Sequence, residues 1–96
     1  MNDKRPVLRR IPGTYIYAFK CPGCLKTHYF RVLATLRGHK QWDWNGSLTE
    51  PTVEPSILYD AEKGLRCHLS LTDGEVVFLS DCWHALAGKT VPMIPV

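Results

Sequence analysis

Leu65-Arg66-Cys67-His68-Leu69-Ser70-Leu71-Thr72-Asp73-Gly74-Glu75-Val76-Val77-Phe78-Leu79-Ser80-Asp81-Cys82 decides the architecture. Asp73-Gly74 is a strong signal for a two-residue turn, and it stands between two runs rich in Val, Leu and Phe. A tight turn there pairs Thr72 with Glu75, Leu71 with Val76, Leu69 with Phe78 and Cys67 with Ser80. Side chains alternate between the faces of a strand. One face then carries Cys67, Leu69, Leu71, Val76, Phe78 and, further along, Cys82. The other carries His68, Ser70, Val77, Leu79 and Asp81, with His68 and Asp81 as diagonal neighbours in reach of one another.

Working outward, the rest of the chain reads the same way. Seven prolines and seven glycines divide it into short segments rich in aromatic and β-branched residues. Residues 14–20 read as a strand, Cys21-Pro22-Gly23-Cys24 as a tight turn, and Thr27 to Thr35 as a returning strand. Cysteines therefore sit at the tip of a hairpin over 14–35. Trp42 and Trp44 alternate with polar residues before an Asn45-Gly46 turn. Pro51 and Pro55 lack amide donors, so residues 51–56 are expected as a loop or sheet edge leading into Ile57-Leu58-Tyr59. Residues 86–96 read as a last extended segment. The expected fold is all-β: a small sheet or barrel of antiparallel hairpins stapled by a structural zinc, with at most one short helix near Phe30–Arg37.

The length of 96 residues allows one core. The apolar share of 45% excludes a wholly disordered chain, and no apolar run is long enough to span a membrane. The polar N-terminus does not resemble a secretory signal, which makes the cytoplasm the expected compartment. The net charge of +3 lies in Lys4, Arg5, Arg9 and Arg10 against Asp3. Residues 1–10 are therefore expected as a flexible basic arm on a single domain at 11–96. The body is neutral, and this argues against nucleic acid as the partner despite Lys20, Lys26, Arg31, Arg37 and Lys40. The oligomeric state has no signature here.

Four cysteines without a secretory signal point to metal before disulfides. Cys21-x-x-Cys24 is half of a tetrahedral zinc site. The other half must come from Cys67, Cys82, His84 or His28. The expected ligands are Cys21, Cys24, Cys67 and His84, with Cys82 as the alternative to His84. Two or three thiolates on a knuckle turn favour a structural role over catalysis. Residues 25–35 lack the helix that a redox Cys-x-x-Cys motif requires.

A serine, a histidine and an aspartate are the parts of an acyl-transfer site. Ser56 follows Pro55 in a rigid segment, while His68 and Asp81 share a hairpin face. Ser56 is the candidate nucleophile, His68 the base and Asp81 its orienting partner. The plainer alternative pairs Asp81 with Arg66 and leaves Ser56 as a loop residue.

Trp42-x-Trp44-Asn45-Gly46, Pro51-Thr52-x-x-Pro55-Ser56-Ile57, Cys67-His68, Asp73-Gly74 and Asp81-Cys82-x-His84-x-Leu86-Ala87-Gly88, together with Cys21-Pro22-Gly23-Cys24, resemble small phage and prophage proteins of the BubE-like family. Larger relatives sit beside bacterial ubiquitin-like conjugation genes. The resemblance implies a serine peptidase acting on ubiquitin-like proteins or their conjugates in a host cytoplasm. It maps the nucleophile to Ser56 and the base to His68, and it assigns the zinc to the knuckle and Cys67. The competing expectation is a non-enzymatic zinc-ribbon-like module that docks on a host protein through Trp42, Trp44 and Trp83.

Overall fold

A computed structural model describes residues 5–32, 42–59 and 66–96. Eight strands follow one another: β1 (Arg9–Arg10), β2 (Ile16–Lys20), β3 (Thr27–Arg31), β4 (Asp43–Trp44), β5 (Val53–Tyr59), β6 (Cys67–Thr72), β7 (Glu75–Phe78) and β8 (Thr90–Pro92). They form two antiparallel sheets, ordered β1-β2-β3 and β4-β5-β6-β7-β8. There is no helix among the described residues, and so none long and apolar enough to cross a membrane. The helix considered near Phe30–Arg37 lies largely outside the described residues, and its first two residues belong to β3.

Alternation builds the core. Ala18, Phe19, His28 and Phe30 are buried from the first sheet, and Val53, Ile57, Leu69, Leu71, Val76 and Phe78 from the second. Phe19 and Phe30 meet the second set in one cluster with Cys21 and Cys67. The Asp73-Gly74 turn forms as expected, with Asp73 at φ 50° and Gly74 at φ 81°. Thr72 faces Glu75, Leu71 faces Val76 and Leu69 faces Phe78. The expected pairing of Cys67 with Ser80 does not form, because β7 ends at Phe78 and the chain turns back. A cross-strand bond persists one step further, from the Leu79 amide to the His68 carbonyl at 2.9 Å.

Two expectations are corrected. Residues 7–10 are not a free arm. Val7 and Leu8 are buried, β1 pairs with β2, and the Val7 amide donates to the Leu48 carbonyl at 2.7 Å. The apolar pair outweighs the basic residues around it, because burying two such side chains gains about 3 kcal/mol or more while a surface charge costs nothing to leave in water. Residues 53–56 are not a sheet edge either, since β5 is flanked by β4 and β6. The ladder tolerates Pro55 because it slips there. Val53 pairs with Leu71 and Ile57 with Leu69, so four residues of β5 span two of β6. Residues in such a bulge need no ladder donor, and their side chains are re-aimed.

Candidate active site and metal centre

β2 and β3 deliver the knuckle. The Leu25 amide donates to the Cys21 carbonyl at 2.9 Å and the Cys21 amide to the Lys26 carbonyl at 2.8 Å. This turn holds Cys21 and Cys24 together, and β3 returns with His28 facing inward. Cys21 Sγ lies 3.7 Å from Cys67 Sγ, and Cys24 Sγ lies 3.2 Å from His28 Nε2. The ligand atoms of Cys21, Cys24, His28 and Cys67 all fall within 4.8 Å of one another. Tetrahedral coordination with metal–sulfur bonds of about 2.3 Å separates sulfurs by about 3.8 Å. The donor set and its spacing therefore fit a metal ion. The His28 ring is held by stacking on Tyr59, with centroids 3.8 Å apart. Tyr59 is fixed in turn by its hydroxyl, which donates to the Tyr29 carbonyl at 2.9 Å.

The cluster is electrostatically tense without a cation. The contact with Cys67 pulls the Cys21 thiol down to about 3, and the same contact pushes the Cys67 thiol far up. Burial raises the Cys24 thiol. A bound cation relieves all three by stabilising thiolates.

The expected fourth ligand, His84, falls outside the four-residue cluster, and so does its alternative Cys82. The cysteines are grouped with His28, while His84 and Cys82 form a second group about Cys67. The Leu86 amide donates to His84 Nδ1 at 3.2 Å, which places the ring proton on Nε2. That Nε2–H points at Cys67 Sγ from 3.4 Å. His84 thus donates to a cysteine of the cluster, the position that outer partners of metal sites commonly take. Cys82 is engaged elsewhere: its Sγ accepts from the His68 amide and donates to the His68 carbonyl. A Cys24-x-x-x-His28 spacing with inward alternation on β3 was the signal for His28.

On the other face of β6 stands the second constellation. His68 points away from the core, and its Nε2 lies 3.1 Å from Ser56 Oγ. Its Nδ1 lies 3.2 Å from both oxygens of Asp81. Nδ1–H therefore donates to the carboxylate, and the Nε2 lone pair is left to accept from the serine hydroxyl. The two readings of Asp81 coexist. Arg66 reaches Asp81 Oδ2 with Nε at 3.2 Å and Nη2 at 2.9 Å. These contacts, Arg66 first and then His68, hold the Asp81 carboxyl below its ordinary range.

Ser56 occupies the bulge in β5, and Trp42 Nε1–H donates to its carbonyl at 3.3 Å. It opens onto a groove of about 540 Å³ walled also by Glu54, Ser70 and Thr72. Leu58 is paired with His68 across the ladder and is exposed. Of the three tryptophans, Trp42 and Trp44 pack against the core while Trp83 is exposed.

No curated protein and no solved structure matches the chain. One family model does, over residues 2–79, and it describes the bacterial ubiquitination-like system serine protease BubE. The matched span includes Ser56, His68 and all four residues of the Cys/His cluster, while Asp81, Cys82 and His84 follow it. With a match over most of its length, the chain belongs to the BubE family.

Proposed function

We propose that this protein is a serine peptidase whose substrates are ubiquitin-like proteins or their conjugates, with a zinc ion as a structural staple. The observation that carries the reading is the continuous chain of contacts from Ser56 Oγ through His68 to Asp81. The family's description, a serine protease of a bacterial ubiquitination-like system, supports the reaction class and makes ubiquitin-like proteins the substrates to test.

In this reading Ser56 Oγ attacks the scissile carbonyl carbon as its proton passes to His68 Nε2. Asp81 stabilises the imidazolium. His68 then gives the proton to the departing amine, leaving an acyl ester on Ser56. Water attacks that ester, with His68 accepting its proton, and the returning proton restores the serine as the acid product leaves. Leu58 supplies apolar contact surface beside the reacting groups. A suitable test is a ubiquitin-like protein carrying a short C-terminal extension. The wild type releases the extension, and Ser56→Ala at equal concentration does not. Equal release by both proteins would overturn the assignment.

Zinc suits three thiolates and one imidazole in tetrahedral array. Cys21, Cys24, His28 and Cys67 would hold it, and its chemistry there is charge neutralisation and cross-linking. Cys67 and His68 are consecutive on β6 and face opposite sides, so the staple lies beneath the base and away from Ser56. The knuckle offers a direct check. A Cβ at Gly23 would stand 2.6 Å from His84 Nε2 and 2.8 Å from Nδ1. Gly23→Ala must displace that ring and its donation to Cys67. A loss of zinc affinity of about 10–100-fold is expected, measured by competition with a chromophoric chelator. Unchanged affinity would remove His84 from the supporting role.

A further inference from the structure

The residue that follows Asp81 has no part in the acyl-transfer scheme or in the cluster at the knuckle. Its thiol nevertheless makes two contacts with the backbone of His68. Cys82 Sγ lies 3.2 Å from the His68 amide nitrogen and 3.1 Å from the His68 carbonyl oxygen. A cross-strand neighbour would ordinarily exchange both bonds with this residue. Leu79 provides only one, its amide donating to the His68 carbonyl at 2.9 Å. The Leu79 carbonyl is already taken, at 3.3 Å each, by the amides of Cys82 and Gly88. The strand has turned away, and the thiol fills the missing rung.

We propose that Cys82 is a positioning residue for His68, its thiol replacing a backbone partner so that the catalytic ring is fixed at the end of the ladder. The proposal rests on the serine peptidase reading above. Cys82 and Asp81 act as a pair. Asp81 holds the ring at Nδ1, and Cys82 holds the same residue at its amide and carbonyl. The neighbouring step is tied as well, since the Trp83 amide donates to the Arg66 carbonyl at 2.8 Å. Cys82 is 8% exposed, so water is poorly placed to substitute for the sulfur. A small displacement of His68 acts directly on its 3.1 Å contact with Ser56. Misplacement by about 1 Å can cost about 100-fold in rate.

The test uses the full zinc-loaded chain and a serine-directed fluorophosphonate, with the second-order labelling of Ser56 split into a maximal rate and a half-saturation concentration. Hydrogen exchange at the His68 amide is followed in parallel. Cys82→Ala removes both contacts, Cys82→Val removes them while refilling the space, and Cys82→Ser keeps a donor and an acceptor. Cys82→Ala and Cys82→Val are expected to lower the maximal rate by about 100-fold with the half-saturation concentration unchanged. Their His68 amide exchanges faster, and one zinc per chain is retained. Cys82→Ser recovers most of the rate. Wild-type rates and wild-type exchange in folded Cys82→Ala or Cys82→Val would overturn the proposal, as would loss of zinc, which marks a ligand. If wild type itself is not labelled, the peptidase reading fails, and the amide exchange still reports whether the thiol holds His68.

Discussion

Stripping the metal from this protein, or replacing Cys67 by Ser, is expected to abolish its cooperative thermal transition. The two sheets contribute unequally to the cluster. Cys21, Cys24 and His28 come from the β2–β3 hairpin, and Cys67 comes from β6 in the other sheet. A single ion held by these four residues would therefore join the two sheets. Structural zinc contributes about 10–16 kcal/mol in small zinc domains, against a total stability of about 5–15 kcal/mol for an ordinary domain. Its removal outweighs any single packing defect. Leu69→Ala, at a fully buried position, is expected to cost about 2–5 kcal/mol and leave a measurable transition. Near-ultraviolet circular dichroism during chelation, with metal content by native mass spectrometry, separates the cases. A chelated protein with an unchanged melting temperature would contradict a structural metal.

Replacing His68 by Ala is expected to reduce turnover by about 10⁴–10⁶-fold while leaving the melting temperature nearly unchanged. The ring is half-buried on the open face, so little core packing is lost. The loss falls on the step in which Ser56 gives up its proton. Asp81→Asn is expected to cost about 10⁴-fold, because an amide cannot stabilise the imidazolium and no longer favours the productive tautomer. The pH dependence of this contact follows from the lowered Asp81 carboxyl. Its favourable contribution is fully present above the ordinary carboxylate range. It is lost only as pH falls through the lowered folded value, so the Arg66–Asp81–His68 contacts are intact at neutral pH. Turnover by His68→Ala within tenfold of wild type would remove His68 from the mechanism.

The turn at Asp73-Gly74 carried most of the legible fold. Once that register is fixed, alternation places Leu69, Leu71, Val76 and Phe78 inside and His68 and Asp81 outside, and the structure has them so. Its limit was the end of β7. Pairing rules extend a ladder indefinitely, and only tertiary contacts reveal that Ser80 leaves it. Ser56 was legible as a candidate, yet its approach to His68 depends on the slip between Val53 and Ile57. Nothing in the local sequence specifies the size of a bulge; Pro55 signals only that the regular ladder must fail nearby. The same reasoning explains the Cys/His cluster. Cys21, Cys24 and Cys67 were readable from spacing and face, whereas choosing between His28 and His84 requires knowing how the sheets stack. Val7 and Leu8 were hidden by the charges around them.

The most direct measurement is the intact mass of the zinc-loaded protein after treatment with a fluorophosphonate, for wild type and for Ser56→Ala. A hydroxyl activated by His68 reacts at phosphorus, forming a serine phosphonate ester and expelling fluoride as the hydroxyl proton is lost. The expected result is a single adduct on wild type, mapped to Ser56, and none on Ser56→Ala. An unmodified wild-type protein, or an adduct that persists in Ser56→Ala, would contradict the assignment of Ser56 as the nucleophile.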